Sequence, residues 1–405
     1  MSRDDGEPHR GKNLEIAVAA AGILLMAFAL LARQSWWDRH FLPVFFFSHA
    51  KYVLAEKLVR LAAVFAGFFL IMFAGPITAR KARRMPVREI AATSLSILLA
   101  IGLALVVTEL TMRHTFAFAA AETQPGEEPL RQPDRRLGWI FKPDHDGSSI
   151  AGERQIAYSI DHLGYRVRSH AAPVDVDRPT LVFTGESIIA GYGLNWDDTI
   201  PAQTEAALGI QSASIAVFGY ANDQAYLRLA SELPRFRRPV AVVSLFIPSL
   251  FPRNLGDDRP HLDARLHWAP AIHRLWLTSL FRFAIPYHSD TEVEQGIEAT
   301  RAELLATAAL ARRHGAIALV VDPQFGPESP IEQMLRRRIL EESGVAFLRV
   351  PLDPAWHLKG DLHPDPRAAR AIALAIAARL RTDLIREANK HDLERSRVVG
   401  AASGL

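Results

Sequence analysis

Three stretches free of charged residues constrain this chain more than anything else in it: "IAVAAAGILLMAFALLA" (16–32), "LAAVFAGFFLIMFAGPITA" (61–79) and "IAATSLSILLAIGLALVVT" (90–108). A helix needs roughly 17 to 25 mainly apolar residues to cross a bilayer. In the hydrocarbon no water accepts or donates backbone hydrogen bonds, so each such run must close its own as a helix. The pattern predicts a membrane anchor over residues 1–112, with about three transmembrane helices near 14–32, 61–79 and 90–110. It also accounts for a hydrophobic content of 49% in a chain of 405 residues. The first run has a rival reading as a secretory signal peptide. Against it, Leu30 stands where a small residue is wanted before a cut after Ala32, and the run exceeds a usual signal core.

Charge sets the orientation. "RKARRMPVR", residues 80–88, is strongly basic and contains no acid; the positive-inside rule puts this loop in the cytoplasm and everything after residue 112 on the outer face. The part of the chain after residue 112 is therefore expected on the periplasmic or extracellular side of the plasma (inner) membrane. The aromatic run "WWDRHFLPVFFF" (36–47) reads as an interfacial belt or a short re-entrant element. The net charge of +3 comes largely from these juxtamembrane clusters and suits anionic lipid headgroups. No stripe of basic residues interleaved with aromatics follows, so the expected partner is the bilayer and no nucleic acid. The absence of cysteine agrees with an oxidising compartment without requiring one.

Residues 113–134, with "ETQPGEEPLRQPDRR", lack hydrophobic period and read as a linker. Residues 135–178 alternate in "QIAYSI" and carry Gly-Tyr turns, which predicts a small β-rich preface. From 179 to 382, the apolar runs "TLVFTG", "SASIAVFG", "VAVVSLFI", "AIALVVD" and "VAFLRV" alternate with helical patterns. Continuous apolar strands separated by helices mean a sheet buried on both faces. The expected fold is α/β: a three-layer α/β/α sandwich on a mostly parallel five-stranded sheet, with residues 383–405 as a C-terminal tail.

Ligands of such sheets sit beyond the carboxyl ends of the strands. There the first strand ends in Thr184-Gly185-Glu186-Ser187, the second in Phe218-Gly219-Tyr220-Ala221-Asn222 and the third in Pro248-Ser249. Asp361 and His363 precede a helix opened by prolines. "TGES" with "GYG", then "FGY", then "GDLHP", together with the "LGWIFKP…HLGYR" preface, resembles the SGNH or GDSL-type serine hydrolases, in a branch tethered by N-terminal membrane helices. The resemblance covers roughly residues 135 to 382. It implies Ser187 as nucleophile, His363 as base, Asp361 as its carboxylate, and an oxyanion hole from Ser187 and Gly219 N–H groups, with no metal or cofactor.

The family pattern is departed from at three places. Glu186 replaces an aspartate, a change expected to support the loop. Asp361 and His363 are separated by one residue where two are commoner. The asparagine of the third block is replaced by Ser249, which could donate instead; Asn254 or Asn222 could swing in, or the hole could be incomplete. The insert near 252–288 is too long for an ordinary loop. It could cover the site, lie on the bilayer through Trp276, Phe281 and Phe283, or pack on its own domain. His261, His267 and His273 show no metal-ligand spacing and read as surface or packing residues. The expected function is a membrane-anchored serine esterase cleaving an acyl or acetyl ester on an envelope glycan or lipid. Alternatives are O-acyl transfer by the same triad, or a degenerate glycan-binding domain.

Overall fold

The structure, a computed structural model, is described over residues 7–42, 49–119, 130–151 and 154–402. Residues 43–47 of the aromatic run, 120–129 of the linker and the extreme ends fall outside the described residues. The chain divides into two compact units, taken separately: a helical unit from residues 7–42, 49–119 and 274–289, and an α/β unit from 130–273 and 290–402.

In the helical unit, three segments are long and apolar enough to cross a membrane: Gly11–Leu31, Val53–Arg84 and Arg88–Arg113. The second begins earlier than its charge-free core, taking in Glu56 and Arg60. These polar groups are accommodated because they find partners. Gln34 donates to Glu56 Oε2 and to Asp38 Oδ1 (2.9 Å), and Arg60 Nε donates to the Ala29 carbonyl at 2.8 Å. The first two spans pack closely at two glycines: a Cβ on either Gly22 or Gly67 would sit 2.6 Å from the other's carbonyl oxygen. Small residues at such a contact let two helix backbones approach closely.

Among the described residues the α/β unit contains twelve strands: β1 (Arg131–Asp134), β2 (Gly138–Phe141), β3 (His145–Ala151), β4 (Arg154–Ile160), β5 (Arg166–Val167), β6 (Pro179–Phe183), β7 (Gln211–Ser214), β8 (Arg238–Leu245), β9 (His261–Leu262), β10 (Trp268–Ala269), β11 (Ile317–Phe325) and β12 (Phe347–Leu352). β1 with β2 and β9 with β10 form separate two-stranded hairpins; the remaining eight form one sheet in the order β12-β11-β8-β6-β7-β5-β4-β3. The expectation of five strands is corrected here. The five apolar runs are the parallel strands β6, β7, β8, β11 and β12, and the preface adds three antiparallel ones. β5 pairs with β7 through Arg166 and Ser214, and β4 and β3 follow as a hairpin. In β4, Ile156, Tyr158 and Ile160 are buried while the residues between them are not, the period-2 pattern of a strand with one covered face.

Side chains of the parallel strands alternate between two cores. Leu181, Phe183, Ala241 and Val243 pack with Ile200 and with Ala369, Ile372 and Ile376 of the helix Pro366–Ala402. Val182, Ala213 and Val242 face Leu229 of the helix Asn222–Glu232, and Leu310 and Ala311 of the helix Asp290–Arg313. The sheet is thus covered on both faces. The helix expected to end near residue 382 runs on to Ala402. In chain order the parallel strands read 2-1-3-4-5 across the sheet, so the connections leave β6 in opposite directions and open a crevice at the carboxyl ends of β6 and β8.

Away from that crevice, Asp322 of β11 is buried with its Oδ2 lacking a hydrogen bond and Arg349 Nε 4.0 Å away. Burial, only partly offset by Arg349, pushes its carboxyl up to about 6. Between about pH 4 and pH 6 the native chain keeps a proton that the unfolded chain has lost, so stability falls as pH rises through this window, by about 2 kcal/mol. Thermal melts of the full chain at pH 4.5 and 7.5 are expected to show this loss in wild type and a much smaller one in Asp322→Asn.

Candidate active site

β6 delivers its chain to the crevice. Thr184 N–H continues the ladder to the Val243 carbonyl of β8 at 2.9 Å. The backbone then turns sharply at Gly185 (φ 151°), where a Cβ would press to 3.2 Å from Ile189. The short helix Ser187–Ala190 starts at once, its Ile188 N–H capped by the Glu186 carboxylate at 3.0 Å. Ser187 is held on the first residue of that helix, with its hydroxyl aimed across the strand ends.

The partner arrives from 176 residues away: His363 Nε2 lies 2.8 Å from Ser187 Oγ. On the other side of the ring, Nδ1 is 2.5 Å from Asp361 Oδ1. An ionised carboxylate only accepts, so Nδ1 carries the hydrogen and Nε2 of the neutral ring is the acceptor facing the serine. Ser187 and His363 are each about 4% exposed, so this chain of contacts lies in a poorly hydrated place where its electrostatics are strong. Burial pushes the Asp361 carboxyl up, but the hydrogen bond and charge of His363 and the backbone N–H of His363 outweigh it and hold Asp361 below the usual carboxylate range.

The one-residue spacing of Asp361 and His363 is met by a tight hairpin. Leu358 N–H bonds to the His363 carbonyl at 2.9 Å, Asp361 N–H to the Leu358 carbonyl at 3.1 Å, and His357 bridges Pro364. Asp361 Oδ1 also accepts the His363 backbone N–H at 2.8 Å. Asp365 then caps the long helix, accepting from Arg367 and Ala368 N–H groups. Tyr192, whose N–H bonds the Ser187 carbonyl at 2.8 Å, stands over the His363 ring at a centroid distance of 4.6 Å.

The second strand end, Phe218-Gly219-Tyr220, is clamped by the β1–β2 hairpin. Trp139 Nε1–H donates to the Phe218 carbonyl at 2.8 Å, and Tyr220 O–H donates to the Trp139 carbonyl at 2.8 Å. Gly219 takes φ 80°, and a Cβ there would meet the Trp139 ring at 3.3 Å. Among the described residues, no backbone carbonyl accepts the Ser187 or Gly219 N–H.

Ser249 stands second in the 3-10 helix Pro248–Leu255. The small cavity beside Gly185 and Glu186 is lined by Asn222 and Asn254 and not by Ser249. The two asparagines bond each other: Asn222 N–H donates to Asn254 Oδ1 and Asn254 Nδ2 to Asn222 Oδ1, both at 3.0 Å. Their other contacts are Asn222 Nδ2 to the Leu245 carbonyl at 3.2 Å and Asn254 Nδ2 to Thr300 Oγ1 at 2.8 Å.

Two contributors, Arg166 and Arg253, escaped sequence reasoning, and Glu186 has a second role. Arg166 of β5 is fully buried and donates to the carbonyls of Ala190, Gly191 and Leu194, at 2.5 to 2.6 Å. Its guanidinium lies 4.3 Å from the centroid of the Tyr158 ring, and burial pulls it down to about 10. Arg253 of the insert reaches to 3.9 Å from Glu186 Oε2; burial lowers it and the Glu186 carboxylate pulls it back up. Glu186 itself does more than support a loop, because its Oε2 lies 2.7 Å from Ser187 Oγ. The single serine proton therefore faces two acceptors, His363 and Glu186. Only the unusual length of Glu186 at this position signalled it.

Two substitutions read these roles. Glu186→Asp shortens the side chain by one methylene; it is expected to keep the Ile188 cap but withdraw from Ser187. The rate of serine labelling by an organophosphonate should then rise about fivefold, equivalent to one released hydrogen bond of about 1 kcal/mol. Gly219→Ala forces a left-handed backbone to carry a Cβ against Trp139, and is expected to lower ester turnover by a factor of about one hundred, the worth of one misdirected oxyanion donor.

No protein-family model matches the sequence, and no curated protein sequence matches it. Solved structures do resemble the chain. The acetyl xylan esterase Est2A from Butyrivibrio proteoclasticus aligns over 53% of this chain and 66% of its own, at 13% identity and a TM-score of 0.33. A family two carbohydrate esterase from Clostridium thermocellum, solved with cellohexaose, aligns over 53% and 66%, at 14% identity and 0.34. The esterase EstA from a Pseudoalteromonas species aligns over 51% and 98%, at 12% identity and 0.32.

Proposed function

We propose that this chain is a membrane-anchored serine hydrolase of the SGNH type that cleaves a carboxylic ester. The observation that carries the reading is the hydrogen-bonded series Ser187 Oγ, His363 Nε2, His363 Nδ1 and Asp361 Oδ1, with contacts of 2.8 and 2.5 Å. A serine hydroxyl is a weak nucleophile until a base takes its proton. His363 takes it as Oγ attacks the ester carbonyl, while the Asp361 carboxylate fixes the tautomer and stabilises the imidazolium. The carbonyl oxygen becomes an oxyanion within reach of the Ser187 and Gly219 N–H groups. His363 returns the proton to the departing alcohol, and a water activated by the same ring releases the acid.

The anchor sets where this happens. With residues 80–88 in the cytoplasm, the spans Gly11–Leu31 and Arg88–Arg113 both end on the outer face and the α/β unit follows outside. Retention of the first span is supported within the helical unit, where the segment 274–289 touches both Glu109 near the end of the third span and His40 just after the first. Such contacts require both span ends on one side. The substrate class consistent with this placement is an acyl or acetyl ester of an envelope glycan or lipid.

The test is labelling of the purified full chain with a fluorophosphonate probe beside p-nitrophenyl acetate turnover. Wild type is expected to form the adduct and turn over ester; Ser187→Ala should lose both, and His363→Ala should lose at least a hundredfold of the rate. A folded wild type that takes no probe would overturn the triad.

A further inference from the structure

The insert does not behave as one piece. Its first part, to His273, belongs to the α/β unit, whereas 274–289 belongs to the helical unit although the chain on both sides does not. Two contacts hold it there. The helix Trp276–Ala284 starts on Glu109, whose Oε1 and Oε2 accept the Trp276 and Leu277 N–H groups at 3.2 and 2.9 Å, while Arg113 pairs with the same carboxylate at 2.8 Å. At its other end, His288 N–H donates to the His40 carbonyl at 2.8 Å, His40 Nδ1 lies 2.7 Å from the His288 carbonyl, and the Tyr287 ring stacks on His40 at 5.1 Å beside Trp36 and Phe41.

These partners fix a depth. Glu109 is the first charged residue after the charge-free run 90–108, so a helix capped on it lies where the third span leaves the hydrocarbon. The helix is two-sided. Trp276, Leu277, Leu280 and Phe281 share one arc, and Thr278, Ser279 and Arg282 the other. Phe281 is 63% and Leu280 46% exposed, and Leu110, beside Glu109 in sequence, is 61% exposed. A short amphipathic helix with aromatic and aliphatic residues on one side and a cation on the other suits the boundary between headgroups and acyl chains.

We propose that 274–289 is an interfacial element and that the covering partner of its Leu280–Phe281 face is the bilayer. The inference rests on the anchor reading above. Because the chain has no cysteine, single cysteines can be introduced at Phe281→Cys, Ser279→Cys and Leu98→Cys, labelled with an environment-sensitive fluorophore, and the full chain placed in nanodiscs. The 281 probe is expected to be quenched by lipids spin-labelled near the headgroup and shielded from aqueous iodide, with iodide quenching at least threefold stronger at 279. The 98 probe, in mid-span, should be quenched by deeply spin-labelled lipid. Equal iodide quenching at 281 and 279 with lipid quenching intact at 98 overturns the interfacial element alone. Shielding of 281 from both iodide and spin-labelled lipid means a protein surface covers this face and also overturns it. Loss of lipid quenching at 98 overturns the anchor reading itself.

Discussion

A buried guanidinium holds the turn after Ser187 in place. Among the described residues Arg166 has no carboxylate partner; its two terminal nitrogens donate to three carbonyls of the turn that follows Ser187, its Nε lacks a hydrogen bond, and its guanidinium lies on the face of Tyr158. A charge removed from water is costly unless its donors are met, so the turn from 190 to 194 has little freedom to move without stranding it. That constraint ties the antiparallel edge of the sheet to the catalytic rim. It explains why the preface is built into the sheet: β5 contributes Arg166, β4 contributes Tyr158, and Tyr158 O–H in turn accepts the Gly193 N–H at 2.9 Å. The β1–β2 hairpin does the same for the Gly219 turn through Trp139.

Much of this was legible in the sequence. The five parallel strands were readable because strands buried on both faces are continuous apolar runs, and their carboxyl ends pointed to the rim on which Ser187, Gly219, Asp361 and His363 stand. The three added strands were not: β5 is two residues long, and the alternation in β4 shows that one face is covered without showing by what. Arg166 and Tyr158 were silent because a buried arginine looks like any other in a linear chain. Glu186 was visible as an odd residue, but its second role depends on a distance of 2.7 Å. Ser249 and the alternatives Asn222 and Asn254 are not separable by counting along a strand end: a 3-10 turn begins at Pro248, and Asn222 with Asn254 line the cavity beside Glu186. Nor could periodicity divide the insert at residue 274, since that depends on a capping contact to Glu109, far away in sequence.

Among the described residues of the helical unit, two carboxylates next to the apolar helices are paired. Glu56 has Gln34 and Arg60, and Glu109 has Arg113 and two helix N–H groups. Such residues would otherwise be costly at membrane depth. Their pairing lets the second span begin at Val53, eight residues ahead of the run that announces it.

The hairpin carrying Asp361 and His363 gives the two links of the triad different origins. The acid and its imidazole are two residues apart and share one turn, so their contact is encoded locally and persists for as long as that turn does. The contact between His363 and Ser187 closes a loop of 176 residues and exists only while the sheet holds both rims in register. Gradual loosening of the fold would therefore separate His363 from Ser187 first, leaving the Asp361–His363 pair intact: the hydroxyl contact, not the carboxylate contact, is the fuse of this site.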